Sequence, residues 1–172
     1  MPFTFTVETG AVVTGANSYV PVAFADDYFE IDPNFFPIWD ALETANKQIF
    51  LAWATRILDQ KVQWRGYKAD EDSALRWPRA GVYDRDKLLI ADDEIPEQLK
   101  QAVCEVLKFM QSQDPTTSQD VENVKVMKLD VLEIEFQEGT SQTSLPPLIN
   151  NLLVGLGQWP TGSFGFARIA RA

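Results

Sequence analysis

The chain has 172 residues, 45% of them hydrophobic and 23% charged. That is enough apolar material for one compact domain and excludes a globally disordered chain. The formal net charge is −10, with no histidine and one cysteine. These values exclude a uniformly basic surface, an intramolecular disulfide, the usual catalytic triads and most zinc sites.

The charge is unevenly spread. Residues 1–138 hold all 25 acidic groups and 13 basic ones, and beyond Glu138 the only charges are Arg168 and Arg171. Two arginines make a weak basic patch, too small for a dedicated nucleic-acid site. No apolar run approaches the ~18 residues of a membrane span, and the first residues lack a basic region followed by an apolar stretch. The expectation is a soluble intracellular protein with no membrane partner.

Residues 1–18 alternate Phe3, Phe5 and Val7 with Thr4, Thr6 and Glu8, which predicts a strand or an extended arm. A domain over 19–156 follows. Its first helix, about 21–31, starts near Pro21 and ends at Asp32-Pro33. The second, about 40–60, places Leu42, Ala45, Ile49, Trp53 and Ile57 at three- and four-residue steps, predicted as its buried face.

Residues 62–95 read as a long irregular loop containing Trp64, Trp77 and Tyr83. Loops of this length tend to be functional or packed on their own aromatics. A helix over about 96–112 carries Leu99, Val103, Val106, Leu107 and Met110, with Asp93 or Glu94 placed to cap it. A period-two alternation predicts an inserted β-hairpin over about 123–138, with Lys125 or Lys128 facing Glu133 or Glu135. A last helix spans about 146–156, and residues 157–172 form a C-terminal tail. The fold class is mainly α: a small helical bundle with an inserted hairpin and extended N- and C-terminal arms.

Chemistry-bearing patterns are sparse. Cys104 sits mid-helix and reads as a small buried thiol. Asp26-Asp27, Asp70-Glu71-Asp72 and Asp92-Asp93-Glu94 lack the spacing of a calcium loop and read as caps and solvated charge. No phosphate-binding or dinucleotide-binding glycine motif occurs. No catalytic residue, metal site or cofactor is expected. Trp64-Arg65 and Trp77-Pro78-Arg79 pair aromatics with arginines, as stacking platforms for single strands do. The favoured reading is instead a loop pinned by Trp packing or used between subunits, its arginines neutralised by Asp70, Asp72, Asp84 and Asp86.

Several stretches resemble the head-to-tail adaptor, or connector, proteins of tailed bacteriophages. They are Ala16 to Ala23 with Asp26-Asp27-Tyr28-Phe29, Ala54 to Asp59, Trp64-Arg65-Gly66, Ala74 to Val82, Asp93 to Pro96, and Ala102 to Glu105. Their order and spacing cover roughly residues 16–110. The same family carries a second label, DnaT-like single-stranded DNA-binding protein.

The adaptor resemblance implies a non-enzymatic structural subunit at the virion neck, assembled in the host cytoplasm. It implies a ring of twelve copies that contacts the portal protein and a tail or head-closure protein, with DNA as transiting cargo. In such rings the C-terminal segment reaches the portal, which makes Trp159, Phe164, Phe166, Arg168 and Arg171 candidate portal-binding residues. The second label implies instead a replication accessory protein that binds single-stranded DNA.

Overall fold

The computed structural model describes residues 3–112 and 146–160. Among the described residues are five helices: α1 (Val22–Glu30), α2 (Phe36–Asp40), α3 (Thr44–Lys61), α4 (Glu97–Ser112) and α5 (Pro147–Leu152). The mainly α expectation holds. The hairpin expected over 123–138 lies outside the described residues.

The pair α3–α4 forms the centre, with α5 packed on α4 and α1 touching both central helices. The cause is visible in α4. Leu99, Ala102, Val103, Val106, Leu107 and Met110 recur at three- and four-residue spacing, and all are buried. Cys104 is buried beside them, and burial raises its thiol pKa well above the ordinary value.

A short helix, α2, was not anticipated. Its Trp39 is fully buried and packs on Phe29 at 5.0 Å between ring centroids. Trp39 Nε1 donates to Asp26 Oδ1 at 2.7 Å, and the same oxygen receives Lys47 Nζ at 2.9 Å. Asp26, expected as solvated charge, therefore ties α1, α2 and α3 together.

The face assigned to the second helix is corrected. The helix starts at Thr44, because residues 41–43 separate it from α2. Its buried face is Leu51, Ala54, Thr55, Ile57 and Leu58, whereas Ile49 is 49% exposed and Ala45 is exposed. Of the predicted face, Ile57 is buried as expected, and Trp53 is half-buried beside Leu107 and Met110 of α4.

The long loop is less irregular than predicted. Within it, β1 (Gln63–Trp64) pairs antiparallel with β4 (Gly157–Gln158), and β2 (Tyr67–Lys68) pairs antiparallel with β3 (Arg79–Ala80). Trp77 is fully buried and meets Trp64 edge to face at 6.0 Å. The last helix ends at Leu152, four residues short of expectation. Residues 153–156 instead form a turn in which Gly155 takes φ +91°, a region that L side chains rarely adopt.

The N-terminal segment lies on the domain and is not a detached arm. Val7 bridges to Ser18, and Glu8 is buried with its carboxylate accepting the backbone N–H groups of Gly10 and Val13, each at 2.9 Å.

Candidate nucleic-acid interface

A second stripe of α3 faces a groove. Ile49, Ala52, Trp53, Arg56 and Gln60 follow one another at helical spacing along one wall. Residues 74–76 form the opposite wall, and Phe3, Ala16 and Asn17 close one end. The groove encloses about 890 Å³. Phe3 is 53% exposed and Trp53 is half-buried, so both present ring surface to it. Arg56 and Arg76 are exposed, and Asp59 is the one acidic residue in the lining.

A network at the floor fixes the loop wall. Tyr19 is buried on the core side, and its hydroxyl donates to Asp59 Oδ1 at 2.6 Å. The same hydroxyl accepts the backbone N–H groups of Arg76 and Trp77, both at 3.1 Å. Asp59 Oδ2 accepts the Arg76 N–H as well, at 3.0 Å. Burial raises the Asp59 pKa above the usual carboxylate value, and the bonds from Tyr19 and Arg76 partly offset this. Burial, then the Asp59 charge, raises the Tyr19 pKa well above its ordinary value and keeps the phenol a donor.

The structure divides the residues singled out in the sequence. Trp77 and Arg79 are buried, so they pack the loop and present no free surface. Trp64 is half-buried against Trp77, and Arg65 is exposed. Trp159 is 8% exposed and belongs to the hydrophobic core, which corrects its assignment as a docking residue. Phe164, Phe166, Arg168 and Arg171 lie outside the described residues.

Close ion pairs between the loop arginines and Asp70, Asp72, Asp84 or Asp86 are absent among the described residues. Asp70 and Asp84 accept backbone N–H groups of their own turns. Arg79 spends its guanidinium on backbone carbonyls. Among the described residues the ion pairs are Lys47–Asp26 and Lys108–Asp32, so none involves Arg56, Arg65 or Arg76. No group of three metal-ligating side chains occurs among the described residues, and no described helix is long and apolar enough to cross a membrane.

A groove that joins two aromatic rings to two exposed arginines suits stacked bases and a phosphate chain. Residues 3–172 match a family model described as "Putative DnaT-like ssDNA binding protein". The chain belongs to this DnaT-like family. No curated protein and no solved structure matches it. The family match overturns the expectation of a head-to-tail adaptor and favours the alternative reading. That expectation rested on the resemblance, and the acidic net charge had argued against single-strand binding. Net charge is a property of the whole surface, whereas a strand meets a local field, and charges beyond about 10 Å are largely screened at moderate salt.

Phe3, Arg56 and Arg76 do not stand out in the sequence, and Trp53, expected on a buried face, is half-buried against the core. One clue was available: α3 has more apolar positions than a single buried face can use, and the surplus stripe continues into Arg56 and Gln60.

Proposed function

We propose that this protein binds single-stranded DNA along the α3 groove and catalyses no reaction there. Phe3 and Trp53 offer ring faces on which bases stack, and stacking tolerates any sequence because every base has a π-face. Arg56 and Arg76 stand on opposite walls, placed to contact the phosphates of a strand lying between them. The observation that carries the reading is this convergence of Trp53, Arg56 and Arg76 in one groove, within a chain matched over residues 3–172 to a family described by single-strand binding.

The test is anisotropy of a labelled oligo(dT) across a salt series. Binding should weaken with salt. Replacing Arg56 and Arg76 together by Gln should lower the slope of log K against log salt by about 1.4, given roughly 0.7 per phosphate contact on a single strand. Salt-independent binding, or an unchanged slope in the double variant, would remove the groove as the site.

A further inference from the structure

A second basic cleft lies where the 83–87 turn meets the end of α5 and β4. It encloses about 620 Å³ and is lined by Arg65, Tyr83, Arg85, Lys87 and Trp159, among others. Three cations stand there against one carboxylate, Asp84. Asp84 Oδ1 is engaged by the N–H groups of Asp86 and Leu88, both at 2.8 Å. Among the described residues none of the three cations is in an ion pair. Tyr83 is 54% exposed and offers a ring beside them.

Two features hold this cleft in shape. Gly155 lets the turn after α5 settle onto the 83–85 backbone, where a Cβ would come within 2.7 Å of the Tyr83 carbonyl oxygen. Lys87 takes φ +66° at the tip of its turn. Glycine or asparagine is the usual occupant of such a position, so a lysine there keeps its ammonium at the cleft at a conformational cost.

The two clefts share one support. The buried Arg79 guanidinium donates through Nε to the Arg65 carbonyl at 2.6 Å, through Nη2 to Gly66 at 2.8 Å, and through Nη1 to Arg76 at 3.1 Å. The Arg65 and Arg76 carbonyls therefore lie within about 8 Å of each other, the reach of one guanidinium fork and two hydrogen bonds. Arg76 lines the α3 groove and Arg65 lines the second cleft.

We infer that the second cleft is a continuation site for the same nucleic-acid strand, which leaves the α3 groove at Arg76, crosses over Arg79 and enters between Arg65, Arg85 and Lys87. This rests on the proposed single-strand binding and extends it from one groove to a path. Arg79 acts as a positioning residue, since its own guanidinium is buried. Binding is then length-dependent: a short strand fills one cleft and a longer strand fills both.

The experiment compares oligo(dT) of about 5 and about 15 nucleotides, spanning much of the roughly 4–16 nucleotide range of known single-strand sites. It uses the full chain and a variant with Arg65, Arg85 and Lys87 all replaced by Gln, each checked by thermal melting. The unaltered protein should bind the longer strand at least about tenfold more tightly. The variant should lose that gain, and its salt slope on the longer strand should fall by about 2. A conservative Arg65→Lys/Arg85→Lys variant should restore most of the gain. An unchanged affinity and slope in the folded Gln variant would overturn the path while leaving the α3 groove standing. Failure of the unaltered protein to bind either strand would overturn the groove and the path together.

Discussion

Tyr19 and Asp59 meet at 2.6 Å, phenol to carboxylate, beneath the α3 groove. This contact joins a buried residue of the N-terminal segment to the helix that forms one wall of the site. The Tyr19 oxygen carries the opposite wall, because it also accepts the N–H groups of Arg76 and Trp77. One hydroxyl thus serves both the fold and the placement of a site arginine.

Tyr19→Phe should therefore cost both stability and affinity. Arg76 N–H keeps Asp59 Oδ2 as an acceptor, but the buried Trp77 N–H loses its partner. An orphaned buried donor costs about 1–3 kcal/mol. Urea unfolding should show a loss in that range with an unchanged m-value. Affinity for oligo(dT) should fall even where the variant is fully folded, because the loop bearing Arg76 is no longer held. A variant as stable as the parent would show that the hydroxyl does not hold the wall.

Trp53→Ala probes stacking. Base–aromatic stacking is worth about 1–3 kcal/mol per base, or roughly 5- to 150-fold in affinity. Trp53 also packs against the core, so the variant should lose some stability too. Trp53→Phe separates the two effects, keeping a ring for stacking with less area. The order of affinity for oligo(dT) should be Trp, then Phe, then Ala, with a salt slope that does not change. A slope that moved with the ring would point to charge contacts instead.

The helical core was legible in the sequence because α4 has one apolar stripe and one partner. Leu99 to Met110 allow a single solution. The α3 helix offered two stripes, and periodicity carries no information about which will be buried; Leu51, Ala54 and Leu58 were. Trp39 and α2 were missed because a five-residue helix shows too few turns for a pattern. The site was missed for a related reason. Arg56 and Arg76 are 20 positions apart, and Phe3 is farther still. They share a groove only in the folded chain, where the Tyr19–Asp59 network holds Arg76 and Asn17 ties down the segment that carries Phe3. Trp77 and Arg79, expected to pack the loop or to serve between subunits, are buried and pack it, because two large side chains beside Trp64 can shelter one another.

Asp59 makes the site sensitive to pH. Its pKa is raised in the folded protein, so the native state takes up a proton more readily than the unfolded chain does. The stability it contributes is then fully present below the ordinary carboxylate value and is lost as pH rises through the raised folded value. Protonation also removes the single carboxylate from the groove lining. Affinity for oligo(dT) should rise as pH falls into that window, by about 1 kcal/mol or roughly fivefold. Asp59→Asn should flatten this pH dependence, and, because an amide cannot accept from both Tyr19 and Arg76, it should also cost stability. An equal pH dependence in the variant would assign the effect to another group.

Asn17 supports the end of the groove. Its Nδ2 donates to the Thr4 carbonyl at 2.7 Å, its Oδ1 accepts the Thr6 N–H at 3.1 Å, and its own N–H donates to the Thr6 carbonyl at 2.8 Å. The side chain pins the segment that carries Phe3, and the Thr4 contact is exposed. Asn17→Ala removes the two side-chain bonds and leaves the backbone one. Each neutral hydrogen bond contributes about 0.5–1.5 kcal/mol, so stability should fall by roughly 1–3 kcal/mol at most. The larger consequence is for the ring. A Phe3 no longer held at the groove must be ordered when a base stacks on it, which weakens binding without altering the charge contacts. Asn17→Ala should therefore lower oligo(dT) affinity at an unchanged salt slope, and Phe3→Ala in the same background should add little further loss. Fully additive losses would mean that Asn17 and Phe3 act independently and that the N-terminal segment is not a wall held by Asn17.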